Sequence, residues 1–191
     1  MKKIVVSLIG IFATMMAFAQ GTVFTGTSSA IGDTVELRVR SIVPTTIEVD
    51  WGNGTRVPLD VDSAITVMPG AIGGEGNITV YGNAEDLWVF SIYDAGLTSV
   101  DVSDLVNVTC LGLGGNELTE IDLSNNLKID ELTLSDNPMS TVDVSMLENL
   151  EYFVISRCEF ESVDVSKNAK LGSLYVSGNP MKSLDVSNNP E

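Results

Sequence analysis

The sequence predicts a mainly β protein: a short right-handed solenoid of five 21-residue coils behind a small antiparallel β cap. Three observations carry that expectation. Residues 87–191 repeat with a period of 21 and no gap; residues 20–83 alternate apolar and polar side chains between turn formers; and residues 1–19 have the form of an address rather than of structure. The expected organisation is therefore an export signal over 1–19, a β cap over 20–83 and a solenoid over 84–191.

The repeat is the strongest signal, because a fixed period of 20–50 residues marks architectures in which each unit stacks on its neighbours. The units are Leu87–Asn107, Val108–Lys128, Ile129–Asn149, Leu150–Lys170 and Leu171–Glu191. Their first apolar column is Leu87, Val108, Ile129, Leu150 and Leu171. The next two are Phe90, Leu111, Leu132, Phe153, Leu174 and Ile92, Leu113, Leu134, Ile155, Val176. Asp recurs at 101, 122, 143, 164 and 185, and Ser two residues after each. Apolar residues two apart face the same way in an extended chain, so each unit is expected to offer a short strand that stacks about 4.8 Å from the next.

The shared pattern L-x-x-L-x-L-x-x-N-x-L resembles the leucine-rich repeat family, specifically the 21-residue internalin-like type of bacterial surface proteins. The resemblance covers residues 87–191 and implies a binding module whose variable strand positions face outward. That type often carries a cysteine ladder within L-x-x-L-x-L; here the corresponding columns are aliphatic or aromatic. An Asn amide both donates and accepts, so Asn116, Asn137 and Asn179 are expected to form a hydrogen-bonding ladder after the strands, interrupted by Ala95 and Cys158.

In the segment before the repeats, Thr34–Ser41, Thr45–Trp51, Ala64–Gly70 and Asn77–Gly82 alternate, separated by Gly52-Asn53-Gly54, Pro69-Gly70 and Gly73-Gly74. Four or five antiparallel strands are expected. The turn VDWGNGTR looks like the W-G-D-G turn of PKD-like and related immunoglobulin-type β modules, with Asn53 where those often have Asp. A solenoid's first coil has a raw apolar edge, and covering it is the expected task of this unit.

At the N-terminus, Lys2 and Lys3 precede an apolar run, Ile4–Phe18, and the small-x-small triplet Ala17-Phe18-Ala19. As a helix the run rises about 22 Å, short of a roughly 30 Å hydrocarbon core, so a signal cleaved after Ala19 is expected in place of a membrane anchor. Export from a bacterium, to the periplasm, the cell surface or the medium, follows. Removing Lys2 and Lys3 leaves 8 basic against 26 acidic side chains, a net charge of −18. Such a surface repels nucleic acid and anionic lipid.

Chemistry is constrained next. There is no histidine, which removes His-dependent triads and the commonest zinc ligand. The Asp column is expected to be structural, each carboxylate accepting from a nearby turn N–H. Neither catalytic nor metal-binding residues nor a cofactor are assigned. Cys110 and Cys158 occupy different columns two units apart, at least about 10 Å by stacking, beyond the reach of a disulfide. Two free thiols are expected, Cys110 partly exposed and Cys158 buried.

Binding is expected on the strand face, through Tyr93, Asp94, Glu131, Asp136, Tyr152, Arg157 and Tyr175, because Tyr and Arg are enriched at binding hot spots. Glycines 112, 114 and 115 leave a shallow floor in the second coil that could seat a side chain or sugar. The expected partner is another protein or a glycan, and the expected role is adhesion-type binding without catalysis. The rival is a spacer, or a fragment of a longer surface protein. The last coil ends in uncapped apolar columns, which could also support end-to-end self-association.

Overall fold

The structure is a computed structural model that describes residues 21–190; the expected export signal lies outside the described residues. Six strands precede the coils: β1 (Gly21–Ser28), β2 (Thr34–Ser41), β3 (Thr45–Asp50), β4 (Arg56–Val61), β5 (Thr66–Ala71) and β6 (Asn77–Gly82). A 3₁₀ turn, Ala84–Asp86, leads into the first coil, which contributes β7 (Leu87–Tyr93) and β8 (Leu97–Asp101). Each later coil adds one short strand: β9 (Cys110–Gly112), β10 (Glu131–Thr133), β11 (Tyr152–Val154) and β12 (Ser173–Tyr175). The protein is mainly β, a solenoid of leucine-rich coils.

Two of the six early strands break the rules by which strands are read. In β1 the pairing with β6 shifts between Thr22 and Phe24, so the consecutive Val23 and Phe24 are both buried and the alternation is lost. Strand β4 carries Pro58 and lies at a sheet edge, where a missing N–H is tolerated and Val57 stays exposed. The sharp turn after β3 is held by one carboxylate. Asp50 Oδ1 accepts from the backbone N–H of Gly52, Asn53 and Gly54 at 2.9, 3.1 and 3.0 Å, so these donors are consumed within the turn.

The strands form two sheets. One is antiparallel, in the order β4-β3-β6-β1-β8. The other runs β12-β11-β10-β9-β7-β2-β5, parallel from β7 to β12 and antiparallel at β2 and β5. The first coil joins both: its strand β7 sits between β2 and β9, and its return strand β8 pairs with β1. The strand side of the solenoid thus continues one sheet of the preceding β unit, and the first coil's return strand closes the edge of the other. A single apolar core runs from Val23 to Leu171. At the junction the rings of Phe24 and Phe90 lie 4.7 Å apart.

Coil to coil, the apolar columns fill the interior. Leu87, Val108, Ile129 and Leu150 are fully buried, as are Phe90, Leu132 and Phe153. In the last coil Leu174, Val176 and Met181 are half-buried, and Leu184 and Val186 are exposed. The V-D-V-S segment forms a strand only in the first coil, where β1 is available to pair with it. In each coil the Asp turns back on the backbone: Asp101, Asp122, Asp143, Asp164 and Asp185 each accept from the N–H of the Ser two residues on, at 2.9 Å.

Candidate functional site: the strand face

Strands of three residues leave the central side chain inward and the two flanking ones outward. In parallel register, Cys110, Glu131, Tyr152 and Ser173 form one outward row, and Gly112, Thr133, Val154 and Tyr175 the next. The chain then leaves the strand through a left-handed residue in every coil. Asp94, Gly115, Asp136, Arg157 and Gly178 have φ of 52°, 69°, 57°, 55° and 79°. Gly adopts this conformation without steric cost and Asp tolerates it better than most residues, whereas Arg carries a cost of about 1 kcal/mol.

Behind that turn the amides of the Asn column do the joining. Asn137 Nδ2 donates to Leu113 O and Leu134 O, both at 2.9 Å, and its Oδ1 accepts from Leu118 N at 2.9 Å. Asn116 and Asn179 repeat the scheme one coil earlier and two coils later. At the gap, Cys158 Sγ reaches Leu134 O at 3.4 Å, which reproduces one donor of the missing amide and not its acceptor. Cys158→Asn is accordingly expected to raise stability by about 1 kcal/mol, since Leu134 O and Met139 N stand where the ladder supplies partners. Urea unfolding of the variant checks it; a lower midpoint would contradict the ladder scheme.

A second Asn column escaped the sequence reading. Asn126 Nδ2 donates to Val102 O and Leu105 O, and Asn168 Nδ2 to Val144 O and Leu147 O, both residues fully buried on the far side of the coil. The signal was present in the repeat, where Asn126, Asn168 and Asn189 share a column with Leu105 and Leu147.

The seven residues expected to bind fall into three groups. Tyr93 and Asp94 lie near the preceding β unit. The Tyr93 ring rests on the floor left by Gly112 and Gly114, and a methyl at either position would meet it. The glycine floor therefore seats this chain's own tyrosine, because Tyr93 projects from the neighbouring strand directly over it. On its other side, Tyr93 and Asp94 border an open cleft of about 280 Å³ with Arg38 and Pro69. Asp136 and Arg157 form the second group. Arg157 Nε and Nη2 donate to Asp136 Oδ1 and Oδ2, each at 2.5 Å, a two-pronged pair across adjacent coils. The Arg157 hydrogen bonds hold the Asp136 carboxyl below its ordinary range. Beside the pair is an open depression of about 450 Å³ that also reaches Asn137 and Cys158.

Glu131, Tyr152 and Tyr175 form the third group. The two tyrosine rings are 5.3 Å apart, tilted by 47°, and exposed by 38% and 49%. Burial, then Tyr175 and Glu131, raise the Tyr152 phenol above its ordinary range. The rim of this group holds two acids that the sequence reading passed over, Asp130 and Glu151. Asp130 is half-buried, and burial followed by the charges of Glu131 and Glu151 pushes its carboxyl up. The thiol of Cys110 is pushed up to about 12 by burial and by Glu131. The preceding β unit adds further residues to the same sheet: Arg38 pairs with Glu36 at 3.0 Å, and the Arg40 guanidinium lies 4.6 Å over the Trp88 ring.

These environments separate the acids by pH. Asp101, Asp122, Asp143, Asp164 and Asp185 are held below the ordinary 3.8 by their bonds to Ser, whereas Asp130 is raised above it. A lowered native value means stabilisation that is present above the unfolded value and lost as pH falls through the native one. Asp130 has the opposite sign: its penalty is present at neutral pH and relieved on acidification. Carboxyl NMR titration is expected to find the five turn aspartates titrating below 3.8 and Asp130 above; the reverse order would contradict this reading. Among the described residues no group of three or more Cys, Asp or Glu could hold a metal ion, and no helix is long and apolar enough to cross a membrane.

No family model matches the chain, and no curated protein matches it by sequence. Solved structures do. The functional domain of InlJ from Listeria monocytogenes, which includes a cysteine ladder, is 24% identical with a TM-score of 0.54. The match covers 62% of this chain and 26% of that one. The internalin InlF from Listeria monocytogenes str. 4b F2365 is 21% identical over 52% of this chain and 37% of its own, with a TM-score of 0.38. The chain thus spans roughly a quarter to two-fifths of the length of these neighbours. The cysteine ladder has no counterpart here, where Cys158 stands alone within the Asn column. Together with the 21-residue coils, the likeness to InlJ identifies the fold as a leucine-rich-repeat β-solenoid of the kind that internalins have.

Proposed function

We propose that this chain is a non-enzymatic protein-interaction module, exported by a bacterium, that binds a partner protein through the strand face of its coils. The carrying observation is the exposed pair of rings, Tyr152 and Tyr175, side by side on the strand face. Large aromatic side chains bury much area at little entropic cost and dominate interface energetics. Such rings left in water on a rigid sheet are ready for a partner. The β unit over 20–83 serves as the cap in this reading, supported by the two sheets it shares with the first coil. Its likeness to PKD-like modules rests on the turn at Trp51. The export reading is supported by the apolar N-terminal run with its two lysines. Adhesion is the role that the resemblance to internalins favours.

The test is a screen of the protein against purified extracellular domains and a glycan array. A protein partner is expected whose affinity drops about 100-fold when Tyr152 and Tyr175 are both changed to Ala, roughly the loss of two hot-spot side chains. Binding that is indifferent to both changes would remove the strand face from the account and favour the spacer reading.

A further inference from the structure

Asp130, Glu131 and Glu151 meet at the rim of the strand face beside the tyrosines. Stacking puts Asp130 and Glu151 in successive coils, joined where the N–H groups of Glu151 and Tyr152 donate to Asp130 O at 2.8 and 2.9 Å. Glu131 stands next to Tyr152 in register. Neighbouring carboxylates repel one another unless a cation intervenes, and after burial the charges of Glu131 and Glu151 push the Asp130 carboxyl up. Among the described residues the ion pairs use Glu36, Glu48 and Asp136, so none reaches this rim. The neighbouring Lys128 and Lys170 donate instead to Asn107 and Asn149, at 2.6 and 2.8 Å.

We propose that the partner docks here through a basic segment, placing an Arg or Lys side chain over the Tyr152–Tyr175 rings and against Glu131 and Glu151. This rests on the strand-face reading and adds the chemistry of its occupant. Two features converge on it. Aromatic faces attract a cation electrostatically, most strongly once it is desolvated. The carboxylates supply the opposite charge at the same edge, so the long stem of Arg or Lys can lie on the rings while its head is neutralised. A single metal ion does not fit, because the acids are not gathered into a group that could hold one. A sulfated or sialylated glycan would be repelled, and a neutral one would leave the crowded carboxylates unrelieved.

The experiment pans a random dodecapeptide phage library on the immobilised protein and measures the enriched peptides by fluorescence anisotropy. Enriched sequences are expected to carry Arg or Lys. Their affinity is expected to fall about tenfold for the double variant Glu131→Gln, Glu151→Gln, and to stay within about twofold for Glu120→Gln, Glu161→Gln, two exposed acids away from the face. Equal losses in the two variants would reduce the effect to general acidic attraction and overturn the proposal. Peptides without basic residues that are lost on Tyr152→Ala, Tyr175→Ala would also overturn it while leaving the strand-face reading intact. Failure to enrich any peptide counts against it, and indifference to all of these variants sinks both readings.

Discussion

Replacing Asn137 by Ala is expected to cost about 4 kcal/mol of folding stability, a large part of the 5–15 kcal/mol typical of a domain. The side chain is 2% exposed and sits in the middle of the coil stack. Its removal leaves the N–H of Leu118 unpaired and takes one bond each from the carbonyls of Leu113, which keeps Asn116, and Leu134, which keeps the Cys158 thiol. These groups lie behind the strands, where water can reach them only if the coil opens. One unsatisfied buried donor costs about 1–3 kcal/mol and each lost bond about 1 kcal/mol more, so the sum exceeds the loss of any one contact. Asp restores the acceptor alone and is expected to rescue little. Equilibrium unfolding in urea reads the effect. A change under 1 kcal/mol would mean that the ladder is ornamental and the apolar columns alone hold the coils.

Phe90→Ala is expected to cost about as much, roughly 4 kcal/mol, for a different reason. Phe90 is fully buried where the first coil meets the strands that precede it, and its ring packs on Phe24. The cavity would open between layers that belong to both parts of the chain. Repeat arrays can fray unit by unit when neighbour interfaces weaken. The wild type is therefore expected to unfold in one transition, seen alike by the fluorescence of Trp51 and Trp88 and by NMR signals of Tyr152 and Tyr175 in the later coils. In the variant these two probes are expected to separate. Coincident transitions with an unchanged midpoint would contradict the shared core.

The coils were legible because periodicity survives every local irregularity: five units align without a gap, and the columns they define are the buried ones. The turn aspartates were legible for a similar reason, since Asp-x-Ser is a local bond repeated five times. What escaped depends on neighbours 21 residues away. Arg157 reads in one dimension as a cation free for a partner, yet the coil before it brings Asp136 within hydrogen-bond reach. The glycine floor reads as empty until Tyr93, from the strand before, is laid across it. Asp130 and Glu151 form a rim only once the coils stack, since each precedes its strand and lies 21 residues from the other. Strands β1 and β4 were missed where a bulge and a proline break the alternation that reading relies on.

On the proposed reading, partners bind the strand face at Tyr152 and Tyr175. Hydroxyl-radical footprinting tests it on the intact protein, with and without a bound partner, by comparing oxidation of these tyrosines with that of Met146. Met146 is 58% exposed in the turn that follows the V-D-V-S segment, off the strand face, and serves as the internal control. Binding is expected to protect Tyr152 and Tyr175 and to leave Met146 unchanged. Protection of Met146 with both tyrosines still oxidised would contradict it.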